Sequence, residues 1–218
     1  VNGDEQEEIL SYAALQAGGR NVAAGLRAHD VQPGQAVAIM LPTSREYFFC
    51  FYGILLAGAI PVPIYPPLRA SQIEEHLRRH ARILANARAV LLITVPEARP
   101  VAQLLRAQTP ELRSVVTLEE LDTAAVHPAE LEQIGAAIRT HDIAFLQYTS
   151  GSTGNPKGVI LTHANLLANI RAMGQAVQAD ASDVFVSWLP LYHDMGLIGA
   201  WLGSLYYAMP LVVMSPLT

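Results

Sequence analysis

The sequence predicts an α/β fold in which a mostly parallel sheet, or several such sheets, is flanked by helices. Short apolar blocks rich in β-branched residues alternate with longer stretches of helical periodicity, which is the pattern of helices packed on a parallel sheet. Glycine and proline separate the blocks. At 218 residues the chain can bury a sizeable core. No internal repeat, low-complexity tract or linker marks a second domain.

The first half of the chain contains four strand-like blocks. We expect strands at residues 36–41, 61–64, 89–94 and 114–118, and helices at residues 12–29, at 46–58 and after Ser71. Ser44 and Ser71 are placed to cap the second and third helices, because a serine hydroxyl accepts hydrogen bonds from the first turn. The apolar run at residues 47–60 is shorter than the roughly 20 residues that span a bilayer. A buried helix, without membrane insertion, is therefore expected there.

The second half continues the alternation after a more polar stretch. Residues 119–140 are predicted to form a helical surface excursion, with a break at His127-Pro128. We then expect a strand, a Gly/Ser/Thr-rich loop, a strand and a helix at residues 143–148, 149–158, 159–161 and 163–178. A strand at 184–188, a glycine-containing helix after Asp194 and a strand at 211–214 follow.

Composition excludes several functions. A formal net charge of −5 removes the electrostatic basis of nucleic-acid binding. The single cysteine, Cys50, cannot form an intramolecular disulfide or a cysteine metal cluster. No secretory signal opens the chain, so a cytoplasmic location is expected. The cluster of Arg78, Arg79, Arg82 and Arg88 is interpreted as a solvated helix face, with an anionic-lipid or carrier-protein contact as the alternative.

The loop from residue 148 to residue 158 carries the clearest functional signal. It reads Tyr-Thr-Ser-Gly-Ser-Thr-Gly-Asn-Pro-Lys-Gly. Its glycines let backbone N–H groups converge, its hydroxyls can donate to phosphate oxygens, and its lysine adds positive charge. An ordinary hairpin loop is the alternative. The loop predicts a polyphosphate site formed by Thr149, Ser150, Gly151, Ser152, Thr153, Gly154, Lys157 and Gly158.

The P-loop of nucleotide hydrolases is the rival interpretation. That motif has a glycine, four residues, and then Gly-Lys-Ser/Thr. Counted from Gly151, the second glycine would be Pro156, and Gly158 offers no hydroxyl for magnesium. A short predicted strand also separates the loop from the next helix, whereas a P-loop opens a helix directly. A phosphate-loop hydrolase is kept only as an alternative.

The same loop resembles the signature loop of the adenylate-forming superfamily, which includes acyl-CoA synthetases, luciferases and nonribosomal adenylation domains. The resemblance covers nearly the whole chain. Further segments resemble family blocks in the family order, at residues 10–15, 31–38, 56–63 and 187–196. Gln147, Tyr65-Pro66-Pro67 and residues 193–199 resemble the fatty acyl-AMP ligases in particular, which load lipids onto polyketide or peptide synthases. A fatty acyl-CoA ligase stays an open alternative.

The resemblance implies a chemistry and a set of residues for it. A fatty carboxylate would attack the α-phosphorus of ATP, pyrophosphate would leave, and the acyl-adenylate would pass to the thiol of an acyl carrier protein or of CoA. Lys157 and His193 would be catalytic, and Mg²⁺ would accompany ATP with Thr149 as a candidate ligand. The acyl group would contact Trp188, His193, Asp194, Met195, Gly196 and Gly199.

Purely structural roles are the alternatives to these assignments. His193 could be a core or surface histidine hydrogen-bonded to Asp194, and the glycines could belong to a buried helix. His163 and Asn165 are interpreted as helix-start residues, with a capping role favoured over a ligand role.

The resemblance also implies that residues 1–218 are the N-terminal part of an AMP-binding domain. The motifs that hold adenine and ribose, and a C-terminal lid, would belong to the rest of the enzyme. We therefore expect that the chain alone does not complete adenylation. A binding module with degenerate chemistry is the remaining alternative.

Overall fold

A parallel sheet of four strands lies at the centre of the first half of the chain. The computed structural model describes residues 8–66, 73–121, 128–149 and 156–214. The four strands are β1 (Ala36–Met40), β2 (Ile60–Pro63), β3 (Ala89–Thr94) and β4 (Ser114–Val116). Their order in space is β2-β1-β3-β4. Strand β1 is buried along its whole length, as expected of a parallel strand that is covered on both faces.

Helices cover both faces of this sheet and divide the core into two. They are α1 (Tyr12–Ala28), α2 (Arg45–Leu56), α3 (Ile73–Ala87), α4 (Arg99–Ala107) and the short α5 (Leu118–Leu121). Val37 and Ile39 of β1 pack with α1 and α2. Ala38 and Met40 pack with α3 and α4 on the other face. Because successive strand residues point to opposite faces, a one-residue shift of β1 would exchange the two sets.

The second half adds a hairpin and a small sheet. Its strands are β5 (Ile143–Thr149), β6 (Lys157–Thr162), β7 (Phe185–Ser187) and β8 (Leu211–Val213). Strands β5 and β6 are antiparallel, whereas β7 and β8 are parallel. Strand β5 lies beside β2, and its Phe145 enters the core of α1 and α2. The helical elements are α6 (Pro128–Ala137), α7 (His163–Val177), the π-helical segment Met195–Leu202 and α8 (Gly203–Tyr207).

The predicted fold class is confirmed, and the predicted strands begin and end within two residues of the observed ones. Three details differ. Ser44 precedes α2, but its side chain makes no capping hydrogen bond. The fourth strand ends at Val116, because Glu120 accepts a hydrogen bond from Thr117 N and starts a helical turn instead. Helix α4 was not predicted. The proposed cap Ser71 lies outside the described residues.

Helix α4 has a proline in its first turn, which explains why no clear helix pattern is visible there in the sequence. Pro96 and Pro100 occupy the first turns of a 3₁₀ segment and of α4. Proline is tolerated at these positions, since the first N–H groups of a helix have no partner within it. Its usual effect as a helix breaker therefore does not apply.

The arginine cluster lies mainly on the solvated face of α3, as predicted. Arg78, Arg82 and Arg88 are exposed. Arg79 differs, because it is partly buried and its guanidinium lies 5.9 Å from the centre of the Tyr65 ring. In the described ranges, no helix combines the length and the apolar character needed to cross a bilayer.

Replacing Gly25 by alanine should destabilise the fold. The new Cβ would meet the backbone of Leu121, whose Cα would be 2.7 Å away, and backbone atoms cannot rotate aside. We expect a loss of about 1–3 kcal/mol in the free energy of unfolding. Gly135→Ala is the matched control, because Gly135 is exposed in α6 with no atom within 4 Å of its Cβ.

The control variant should gain about 0.5–1 kcal/mol, since alanine is the better helix former. Urea unfolding followed by circular dichroism measures both changes. Equal stability of the two variants would show that α1 and α5 do not approach as closely as described.

Candidate functional site

The hairpin of β5 and β6 presents the predicted phosphate loop. Thr149 and Lys157 are directly opposite each other at the end of the ladder, so their side chains lie on the same face of the hairpin. Both are exposed. Lys157 is also the only lysine among the fourteen lysines and arginines of the sequence. A hydroxyl and an ammonium group therefore stand together at the neck of the loop.

The remaining residues of the loop lie outside the described part of the chain. They are Ser150, Gly151, Ser152, Thr153 and Gly154, and their roles stay predictions. Gly158 is described and has a packing role. The ring of Tyr148 lies across it, and a Cβ on Gly158 would come within 2.9 Å of that ring. Glycine at this position thus lets Tyr148 cover the strand.

Tyr148 fastens the hairpin to helix α3. Its hydroxyl donates a hydrogen bond of 2.6 Å to Asn86 Oδ1 near the end of that helix. Partial burial raises the pKa of this hydroxyl, so it stays a hydrogen-bond donor at neutral pH. Sequence reasoning placed Tyr148 at the start of the loop but did not find its partner, because Asn86 lies 62 positions earlier.

Gln147 connects the same strand to the second predicted site. Its side chain is buried, and Nε2 donates a 2.7 Å hydrogen bond to the carbonyl oxygen of Tyr192. Its Oε1 is buried without a hydrogen-bond partner among the described residues. The strand that enters the phosphate loop is thus bonded to the segment that carries His193.

A second side chain holds this segment. The Tyr47 hydroxyl in α2 donates a 2.8 Å hydrogen bond to the carbonyl oxygen of Leu191. Burial raises the pKa of this hydroxyl. Two consecutive carbonyl groups, those of Leu191 and Tyr192, therefore receive side-chain donors from α2 and β5. A tyrosine among the phenylalanines of an apolar helix is the signal that sequence reasoning missed, since a buried hydroxyl requires a partner.

Among the described contacts, His193 and Asp194 are not hydrogen-bonded to each other, unlike in the alternative given above. His193 is exposed, and its ring centre lies 5.0 Å from that of Tyr192. Asp194 Oδ1 accepts a 2.8 Å hydrogen bond from Met195 N and caps the π-helical segment. The imidazole of His193 is consequently open to solvent and to a substrate.

The other predicted acyl-site residues fall into two groups. Trp188 and Met195 are 62% and 58% exposed. Gly196 is buried against the carbonyl oxygens of Leu189 and Pro190, so backbone packing requires glycine there. Gly199 is partly exposed, and a Cβ would meet only the end of the Met195 side chain at 3.6 Å. The structure leaves apolar surface open at Trp188 and Met195.

A stack of rings next to Tyr192 was not predicted. Tyr65 lies 5.6 Å from Tyr192 and 4.6 Å from His80, between ring centres. His76 and His80 are buried on α3 and stack on each other at 3.8 Å. Burial, followed by the charge of Arg79, lowers the pKa of His76 to about 4. Burial, followed by the neighbouring His76, lowers the pKa of His80 to about 3.

The helix start after β6 matches the predicted capping role. Thr162 Oγ1 accepts from Asn165 N, and Asn165 Oδ1 accepts from Thr162 N, which forms a capping box. His163 is the first residue of α7. Among the described residues, no group of three or more His, Cys, Asp or Glu side chains could hold a metal ion. The role of Thr149 as a magnesium ligand stays a prediction.

A match to a known protein family identifies the family of this chain. The family described as AMP-binding enzyme matches residues 2–218. The chain belongs to the AMP-binding enzyme family. This agrees with the resemblance of its phosphate loop, and it makes the exposed pair Thr149 and Lys157 part of a nucleotide-binding fold.

Curated relatives of this AMP-binding enzyme chain include two kinds of fatty acid ligase. It is 36% identical over 202 residues to the long-chain-fatty-acid–AMP ligase FadD32 of Mycolicibacterium smegmatis, covering 90% of this chain and 30% of the relative. It is 31% identical over 218 residues to the medium-chain-fatty-acid–[acyl-carrier-protein] ligase JamA of Moorena producens, covering 99% and 36%. The chain spans about a third of the length of these relatives.

A solved structure agrees with the fold. The fatty acyl-adenylate ligase of L. pneumophila, determined in complex with acyl adenylate and pyrophosphate, superposes with a TM-score of 0.80 at 33% identity. The superposition covers 98% of this AMP-binding enzyme chain and 36% of that one.

Tyr47→Phe should destabilise the chain by leaving the buried Leu191 carbonyl without its donor. We expect a loss of about 1–2 kcal/mol in the free energy of unfolding. Tyr52→Phe is the control, because Tyr52 lies on the same helix and its hydroxyl has no partner among the described residues. Chemical denaturation measures both variants. A Tyr47→Phe variant as stable as the control would contradict the described bond.

The stability of the chain should fall as the pH drops below the ordinary pKa of histidine, about 6.5. The unfolded chain takes up a proton on His80 there, whereas the folded chain does so only near pH 3. Between these values the unfolded state binds more protons, so stability present above pH 6.5 is lost as the pH falls.

His80→Phe cannot take up this proton. Relative to the unsubstituted chain, the variant should gain about 1–2 kcal/mol when the pH is lowered from about 7.5 to about 5. Urea midpoints at several pH values measure this difference. A difference that does not change with pH would mean that His80 is not buried in the neutral form.

Proposed function

We propose that this chain is the N-terminal part of the AMP-binding domain of a ligase that converts a fatty acid and ATP into acyl-AMP and pyrophosphate. The observation that carries the proposal is the bond from Gln147 to Tyr192. It joins the strand that leads into the phosphate loop to the segment of His193. An acyl site and a polyphosphate site are thereby held in one unit. The names of the curated relatives and the ligands of the solved neighbour support this reaction.

In the proposed reaction a carboxylate oxygen attacks the α-phosphorus of ATP. The bond from that phosphorus to the bridging oxygen breaks, and its electron pair leaves with pyrophosphate. Lys157 stabilises the negative charge that gathers on the leaving group, and Thr149 donates its hydroxyl beside it. The loop residues Ser150, Gly151, Ser152, Thr153 and Gly154 would supply further donors. Little covalent chemistry is required of the protein beyond this positioning.

The acyl side of the proposed site is formed by the segment after β7. His193 lies exposed next to Tyr192, and in this proposal its imidazole faces the carboxylate. Asp194 holds the start of the π-helical segment, and Trp188, Met195, Gly196 and Gly199 lie on either side of it. The exposed apolar surface of Trp188 and Met195 suits the first carbons of a fatty chain.

Magnesium would accompany ATP in this proposal and would neutralise phosphate charge. The Thr149 hydroxyl fits as one oxygen ligand, because it stands at the neck of the loop beside Lys157. Carboxylate ligands would come from other parts of the enzyme.

The proposed acceptor of the acyl group is the thiol of an acyl carrier protein. The name of JamA, an acyl-carrier-protein ligase, supports this choice. CoA is the alternative acceptor.

The rest of the enzyme would cover the small sheet of β7 and β8, where Phe185, Val186 and Val212 are exposed, because parallel strands are normally covered on both faces. Because the family resemblance assigns the adenine and ribose motifs and the lid to the rest of the enzyme, the chain alone is proposed to be inactive.

Fatty-acid-dependent exchange of labelled pyrophosphate into ATP tests the proposal on the complete enzyme. Exchange should require the fatty acid, and Lys157→Ala should lower it about 100-fold, as loss of one charge-stabilising donor does. His193→Ala should raise the KM for the fatty acid and leave the KM for ATP unchanged. His141→Ala is the control, because its side chain is 83% exposed and lies outside the proposed site.

Other outcomes select the alternatives. Formation of acyl-CoA after addition of CoA would identify a CoA ligase. Phosphate release from ATP without fatty acid would indicate a hydrolase. Protection of Lys157 by ATP against an amine-reactive reagent, without exchange for any carboxylate, would indicate a binding module. Because Lys157 is the only lysine of these 218 residues, mass spectrometry of its peptide reads this protection directly.

A further inference from the structure

Two buried histidines on α3 are not used by the reaction proposed above. His76 and His80 are 6% and 0% exposed, and their rings stack with an interplanar angle of 25°. His80 Nδ1 lies 2.8 Å from the carbonyl oxygen of His76 and donates its proton to it. The Nε2 atoms of both rings are buried without a hydrogen-bond partner in the described part of the chain.

Histidines without hydrogen-bond partners are energetically unfavourable in a protein core. Burying a polar nitrogen without a partner costs free energy, and an apolar side chain would avoid that cost. Ile83 and Leu84 of the same helix already pack into the core below the sheet. The histidine rings face elsewhere, towards Tyr65. Their presence therefore calls for a role other than core packing.

The rings lead directly to the proposed acyl site. Tyr65 follows β2 and meets both imidazoles nearly at right angles, with interplanar angles of 75° and 85°. Its ring centre is 5.6 Å from that of Tyr192, and the Tyr192 ring is 5.0 Å from His193. The contacts of Tyr65 with the histidines are edge contacts, whereas those at Tyr192 are tilted. Such ring contacts favour a defined relative orientation. A continuous series of ring contacts thus runs from α3 to the imidazole of His193.

We propose that His76 and His80 are positioning residues that hold Tyr65 against Tyr192 and so set the orientation of His193 towards the fatty carboxylate. This inference rests on the proposed function. The Nδ1–H bond of His80 to its own helix fixes the plane of its ring, and the stacked His76 prevents it from turning. Tyr65 then has one resting position, between the histidines and Tyr192.

Kinetics of the exchange reaction in the complete enzyme test this role. His80→Ala and Tyr65→Ala should each raise the KM for the fatty acid about tenfold, which corresponds to roughly 1.4 kcal/mol, and change the KM for ATP less than about twofold. His80→Phe keeps a flat ring against Tyr65 and should restore the KM to within about threefold. Arg78→Ala is the control, because Arg78 is an exposed residue of the same helix.

A merely structural role predicts a different result. His80→Ala would then lower the melting temperature and the amount of active enzyme, but the KM for the fatty acid would not change. That outcome, or an equal rise in both KM values, would overturn the proposal. If His80→Ala fails to fold, Tyr65→Ala decides, since Tyr65 is only partly buried and lies outside the helices and strands.

A second measurement separates failure of this inference from failure of the proposed function. The ring signals of His193, assigned by comparison with His193→Ala, can be followed by NMR in the enzyme without substrates. Tyr65→Ala should shift these signals, because the Tyr192 ring moves relative to His193. Unchanged signals would overturn the positioning role, whether or not the unsubstituted enzyme catalyses exchange with a fatty acid.

Discussion

The hydrogen bond from the Gln147 amide to the Tyr192 carbonyl is the contact on which the candidate site depends. It spans 45 positions of sequence and is partly buried, with the Gln147 side chain itself buried, so competition from water is reduced. Gln147 lies two residues before the end of β5, and Tyr192 directly precedes His193. Breaking the bond would leave the buried Gln147 amide without its acceptor, which is destabilising because the desolvation of the amide is then uncompensated. The strand and the His193 segment are therefore held together strongly.

Helix α3 contacts both the hairpin of β5 and β6 and the series of rings that ends at His193. Near its end, Asn86 accepts the hydroxyl proton of Tyr148 and holds the hairpin. One and a half turns earlier, His80 contacts Tyr65 and the ring series that ends at His193. The two positions are six residues apart, about 9 Å along the helix axis. One rigid element thus contacts the proposed phosphate side and the proposed acyl side of the candidate site, and its core packing on β1 and β3 keeps both contacts in register.

The sequence predicted what depends on local pattern and missed what depends on distant contacts. Strand β1 and the hairpin were predictable, because apolar β-branched runs and a glycine-rich loop can be recognised from a few neighbouring residues. The roles of Tyr47, Asn86 and His80 were not, since each partner lies in another element or across the fold. The π-helical geometry of Met195–Leu202 also escaped prediction, because its glycine-containing sequence is equally typical of an ordinary helix.

The proposed phosphate side of the site carries an exposed charged residue, whereas the histidines behind the proposed acyl side are buried and neutral. Lys157 stands exposed at the end of a strand ladder, where its side chain is not desolvated and can meet a polyphosphate. His76 and His80 lie buried, where burial keeps both rings neutral at ordinary pH. A protonated ring there would repel Arg79 and disturb the stack on Tyr65. Charge thus lies where the proposed function expects phosphate, and neutral rings lie behind Tyr65, where the proposed role is only to orient other rings.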